Sequence, residues 1–146
     1  MGDTIPEDVR AFLSLYIESY EQLEILLLLR REPSLWTGQR LCSRMNVSLS
    51  LVQAAVSALY AKGLVQPLSG PSEEHYKAQS RGEPLDETME RLASVYADRP
   101  IEIIRLMSTN AIERVRTAAL RTFVDAFVLR KHKDKDHGDR SPLSRG

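Results

Sequence analysis

The sequence predicts a mainly α-helical protein with one short β-hairpin, and three observations predict it. Apolar residues recur at the i, i+3, i+4, i+7 spacing of amphipathic helices over most of the chain. Residues suited to capping helices, Ser19, Thr37 and Ser48, stand directly before such stretches. The one strand-like stretch, residues 64–77, is bent around a Gly-Pro turn and is long enough only for a ribbon.

Taken in order, Val9, Phe12, Leu13, Tyr16, Ile17 and Tyr20 fall on one face of a first helix, with Pro6 suited to its first turn. Ser19 followed by Gln22 fits a capping box, which starts a second helix running to about Arg31 and ending ahead of Pro33. Leu23, Ile25, Leu26, Leu27, Leu28 and Leu29 make that helix apolar nearly all round, the composition of a central, covered element. Thr37 caps a short helix over 38–45. Asn46, Val47 and Ser48 form a tight turn, and Ser48 caps a longer helix through Lys62. Gly63 follows where a left-handed residue ends a helix. Residues 64–68 read as a strand, 69–72 as a turn, and His75, Tyr76 and Lys77 as the returning strand. Pro67 cannot donate to a ladder, so its strand belongs at an edge.

The C-terminal half is helical again. Pro84 opens a helix with Leu85, Met89, Leu92, Ala93 and Tyr96 on one face, and Arg99-Pro100 breaks it. Ile101, Ile103, Ile104 and Met107 mark a short helix. From about Asn110 a long helix carries Ile112, Val115, Ala119, Phe123, Ala126 and Phe127, widened by Leu120, Val124 and Val128. Phe123 and Phe127, four apart, read as core. A stripe this broad must be covered on two sides, by neighbouring helices or by a second subunit. A homodimer held by Phe12, Tyr16, Leu120 and Val124 is therefore expected. The chain divides into an N-terminal helix (1–19), a central domain (20–80), a C-terminal helical region (81–130) and a charged tail (131–146). Leu143 is the one large apolar residue of that tail, too little to offset its ordering entropy, so it is expected to be disordered.

Charge narrows the functions. Lys and Arg number 20, Asp and Glu 20, for a net charge of zero over 146 residues. A protein built mainly to neutralise phosphates carries a basic excess, so any such surface here is local. Residues 1–80 hold 7 basic and 9 acidic side chains, and 131–146 hold 5 and 3. One cysteine excludes an intramolecular disulfide and a multi-cysteine zinc site. No run reaches the ~18 apolar residues of a membrane span. The first residues lack the basic and apolar regions of a signal peptide, and the expected compartment is the cytoplasm.

The order helix, short helix, tight turn, longer helix, hairpin resembles a winged helix-turn-helix domain of the bacterial transcription-regulator type. Its carriers are Trp36-Thr37, Leu41-Cys42, Met45-Asn46-Val47-Ser48, Val52, Val56, Leu59 and Gly63-Leu64-Val65. Helices on both sides of it are similar in arrangement to multiple-antibiotic-resistance-type regulators. The resemblance implies a winged-helix core flanked by N- and C-terminal helices, a recognition helix over 49–62, duplex DNA as partner and a dimer. Winged helices also bind proteins, so a second function stays open: an adaptor that leaves DNA untouched.

On a helical projection, Leu49, Val52, Ala55, Val56, Leu59 and Tyr60 face the core. The opposite side presents Ser50, Gln53, Ala54, Ser57, Ala58 and Ala61, with Leu51 at its margin. Gln53 is the one long side chain there and can pair with an adenine edge. Phosphates would be met by the helix N-terminus at Ser48 and by Arg40, Arg44, Lys62 and Lys77, with Arg30 and Arg31 nearby. Glu73 and Glu74 on the wing would repel them. Ser50, Ala54 and Ser57 equally permit close packing by a partner protein. Cys42, between Leu41 and Met45, reads as structural rather than as a redox sensor. His75, His132 and His137, with Asp134 and Asp136, make no convincing metal set. No nucleophile is paired with a base and no phosphate loop is present. No cofactor, metal or enzymatic activity is expected.

Overall fold

The computed structural model describes residues 4–70 and 73–145, the last 17 of these as helical backbone only. The chain falls into two compact units, Met1–Ser108 and Thr109–Gly146. In order the elements are α1 (Glu7–Tyr16), α2 (Tyr20–Arg31), β1 (Trp36–Thr37), α3 (Gly38–Met45), α4 (Leu49–Ala61), β2 (Val65–Leu68), β3 (His75–Ala78), α5 (Glu83–Asp98) and α6 (Pro100–Arg145).

The first unit is organised around α2, whose residues Leu23 and Ile25 to Leu29 are all buried, as its composition predicts. Ser19 Oγ accepts the Gln22 N–H at 3.2 Å, and Gln22 Oε1 accepts the Glu18 N–H at 2.9 Å, a reciprocal cap. That cap holds Ser19 extended and stops α1 at Tyr16. Ile17, which the periodicity places on the first helix, is instead extended and buried in the link. Val9, Phe12 and Leu13 of α1, Leu41 of α3, Val52, Val56 and Leu59 of α4, Met89 and Leu92 of α5 and Ile103 of α6 complete one core. Asp8 of α1 accepts Thr88 Oγ1–H at 3.0 Å and also bonds Arg91, tying α1 to α5.

The strands form one antiparallel sheet in the order β1-β3-β2. Pro67 lies opposite Tyr76 on β2, at an edge, as its missing N–H requires. The third strand was not foreseen. Trp36 and Thr37 pair with Tyr76 and His75, and two residues are too few to show a strand period.

One expectation for the C-terminal half is corrected. No break separates a short helix from a long one near Asn110, because α6 runs unbroken from Pro100 to Arg145. Ser108, Thr109 and Asn110 are only mildly unfavourable in a helix. Over 131–145 the structure describes helical backbone alone. The sequence there sets opposite charges three and four apart, as at Lys133 and Asp136 or Lys135 and Asp139, a spacing compatible with helix.

The core assignments also need correction at three places. Phe12 is only 2% exposed and packs inside its own unit, so it is not free to join a dimer interface. Phe123 and Phe127, read as core, are 67% and 59% exposed in the second unit, their rings stacked 6.5 Å apart. Cys42 is half-buried against the core rather than fully enclosed.

Candidate nucleic-acid interface

The site is built on α3, the turn after it, and α4. Thr37 Oγ1 accepts the Arg40 N–H at 3.2 Å and starts α3. Asn46 ends it in the left-handed region (φ 59°), with its N–H on the Cys42 carbonyl at 2.7 Å. Asparagine tolerates that conformation better than most non-glycine residues, so three residues turn the chain. Ser48 Oγ then accepts the Leu51 N–H at 3.4 Å and caps α4. At its far end Gly63 (φ 74°) closes a Schellman-type stop, with the Leu64 N–H on the Leu59 carbonyl at 3.0 Å.

α4 packs against α2, α3 and β2 through Val52, Ala55, Val56 and Leu59. Ser50, Gln53, Ala54, Ser57 and Ala61 are exposed, as projected, and Ala58 is half-buried. Tyr60 and Leu49 depart from the projection. Tyr60 is 58% exposed and Leu49 37%. Both lie at the margin of the buried face, about 60–80° from Val52 at 100° per residue. Tyr60 joins Gln53, Val56 and Ser57 along a groove of about 400 Å³ whose other wall is Pro67, Glu74 and Tyr76 of the wing region. Tyr76 OH donates to Glu74 Oε1 at 3.4 Å, and burial first, then Glu74, pushes its hydroxyl pKa up. Tyr60 and Tyr76 both line that groove, which a projection of α4 alone does not show.

The cations are less free than the sequence implies. Arg44 makes a bidentate pair with Glu32, Nη1 to Oε1 at 3.1 Å and Nη2 to Oε2 at 2.7 Å. The Arg44 hydrogen bond holds the Glu32 carboxyl below its ordinary pKa. Arg40 stacks over the Trp36 ring, 4.4 Å from its centroid, and donates to Ser34 Oγ and the Leu35 carbonyl. Lys62 Nζ donates to the Tyr16 carbonyl at 2.8 Å, filling an acceptor left open at the end of α1, with Glu18 at 3.9 Å. Lys77 is exposed on β3 and lines a cleft with Leu29, Arg30, Pro33 and Trp36. Arg30 lies 4.0 Å from Asp86, and Arg31 pairs with Glu32 at 3.3 Å. The structure therefore brings Ser48, Ser50, Gln53, Ala54 and Ser57 onto one surface, and gives Arg40, Arg44 and Lys62 protein partners.

Among the described residues no group of three or more His, Cys, Asp and Glu side chains could hold a metal ion. The side chains of His132, Asp134, Asp136 and His137 lie outside them. No described helix is long and apolar enough to cross a membrane.

A helix, a short helix, a tight turn, a longer exposed helix and a three-stranded wing define a winged helix-turn-helix protein. Solved structures similar to this chain include a MarR-family transcriptional regulator from Rhodococcus sp. RHA1, at 19% identity and TM-score 0.47, covering 74% of this chain and 83% of that one. The transcriptional regulator Tm0710 from Thermotoga maritima matches at 16% and 0.49, covering 80% and 87%. BldR from Sulfolobus solfataricus, a transcriptional regulator, matches at 24% and 0.45, covering 75% and 84%. No family model matches the chain, and no curated protein does. The winged-helix assignment stands on the chain's own elements, since these three TM-scores all lie below 0.5.

Proposed function

We propose that this chain is a DNA-binding transcriptional regulator of the cytoplasm, a homodimer that works by binding rather than by catalysis. One observation carries the reading: α3 and α4 meet through a tight capped turn, and α4 leaves Ser50, Gln53, Ala54 and Ser57 uncovered. A major groove about 12 Å wide admits an α-helix whose outer side is free of other elements. Small residues keep that side slim and Gln53 supplies the base contact, with both an acceptor and a donor for the adenine edge. The capped N-terminus of α4 offers backbone N–H groups to a phosphate. The homodimer is supported by the second unit, where Ile112, Val115, Leu120, Phe123, Val124, Phe127 and Val128 are all exposed. A contiguous apolar stripe of this kind marks an interaction face, and pairing with a second copy would bury it.

Selection from a random duplex pool tests the reading. The wild type should enrich a two-fold symmetric site with half-sites about one helical turn apart. Gln53→Ala should relax the preference at one position of each half-site, with a loss there of ~1–3 kcal/mol. A pool left unchanged by the wild type would contradict the proposal.

A further inference from the structure

We propose that Glu32 masks a seat for a DNA backbone phosphate on the outer side of α3, and that Arg44 is the cation it withholds. The inference rests on the DNA-binding reading and adds to it a residue that sets how many phosphates the protein holds.

Glu32 is fixed from two sides. It is the C-cap of α2, with its N–H on the Leu28 carbonyl at 2.9 Å, and its own carbonyl accepts the Trp36 Nε1–H at 2.7 Å. Its carboxylate is thereby aimed at α3, where it takes both terminal nitrogens of Arg44. Beside the pair lies a shallow depression lined by Trp36, Gln39, Arg40, Ser43 and Arg44. Arg40 and Arg44 stand one helical turn apart, their guanidinium carbons 4.4 and 5.7 Å from the centre of the same indole. Two guanidinium groups, a hydroxyl and an amide around an aromatic floor are a donor set for one phosphate.

A carboxylate and a phosphate compete for the same guanidinium fork, since both accept two parallel N–H bonds. Side chains at 45% and 40% exposure form a pair that water screens, so it adds little to folding and exchanges readily. Its main consequence is to cancel a positive charge on the surface that meets DNA. Arg31 also spends itself on Glu32, which deepens the neutralisation. Without the carboxylate, Arg44 would stay beside Trp36 and Arg40 and face solvent.

The test compares full-length wild type, Glu32→Gln, Arg44→Ala and the double variant for binding to one duplex over a range of salt. Thermal melts of each confirm folding, and Glu32→Ala serves as a second unmasked variant should Glu32→Gln fail to fold. Glu32→Gln should bind more tightly, with a log–log salt slope steeper by about 0.9, one phosphate's worth. Its advantage should shrink about three- to fourfold between ~50 and ~200 mM salt. Arg44→Ala alone should keep the wild-type slope, and adding it to Glu32→Gln should remove the gain. Trp36, the single tryptophan, gives a second readout: its emission should change on DNA binding more in Glu32→Gln than in the double variant. Equal slopes for wild type and Glu32→Gln would overturn the mask while leaving DNA binding intact. So would a slope reduced by Arg44→Ala alone, which would place Arg44 already on DNA. If neither wild type nor Glu32→Gln binds DNA in a salt-sensitive way, both the mask and the function it rests on fall.

Discussion

Lys62 shows how a side chain's partner in the fold can differ from the one its charge suggests. By sequence it is a cation at the end of a recognition helix, a natural phosphate contact. Its ammonium group instead completes the C-terminal hydrogen bonding of α1, at 2.8 Å from the Tyr16 carbonyl. A charged donor satisfying an otherwise open carbonyl is worth about 1.5–3 kcal/mol at most, and less where water reaches it. Lys62→Met, which keeps the alkyl stem, should therefore lower the urea midpoint while leaving the salt slope of DNA binding unchanged. A slope reduced by one contact with stability unaltered would return Lys62 to the interface. The same reasoning separates Ser48, whose hydroxyl caps α4, from Gln53, which is exposed on the outer side of the helix and is the residue proposed to read bases.

Elements follow from caps and breakers more reliably than from apolar faces. Gly63 at φ 74° ends α4 because a side chain there would be strained, and Gly63→Ala should cost ~1–2 kcal/mol in chemical denaturation. An unchanged midpoint would mean that the stop is set elsewhere. Ser19, Thr37, Ser48 and Gly63 made the bounds of α2, α3 and α4 legible in the sequence, and Pro67 made the edge position of β2 legible. What was not legible has physical reasons. β1 is two residues long and exists because β3 has a second edge to fill, a fact of tertiary structure. The unbroken α6 was hidden because three residues of middling propensity look like a boundary when no cap or breaker decides it. Tyr60 and Leu49 lie at the margin of the buried face of α4, where a projection does not decide between core and solvent. The candidate surface of Ser50, Gln53, Ala54 and Ser57 was legible from that projection. The pairing of Arg44 with Glu32 was not, because twelve residues and two changes of direction separate them.

For the molecule as a whole, apolar surface decides association. Phe12 is buried in the core of the first unit, so the proposed homodimer draws on the second, where Leu120 is 61% exposed along with Phe123 and Phe127. Phe123→Glu combined with Phe127→Glu should give a monomer by light scattering without loss of helix content, because neither ring supports the core. A dimer surviving both changes would place the interface elsewhere. DNA affinity should fall with the dimer, since two linked recognition helices raise each other's effective concentration. The central claim is that α4 and its surroundings hold duplex DNA, and it is tested most directly by wild-type binding to fragmented duplex DNA as salt is raised. The account predicts binding at ~50 mM salt that weakens linearly on a log–log plot with a slope of several units, each about 0.9 per phosphate held. No affinity for DNA even at that low salt, alongside a chain that is folded and dimeric, would contradict it.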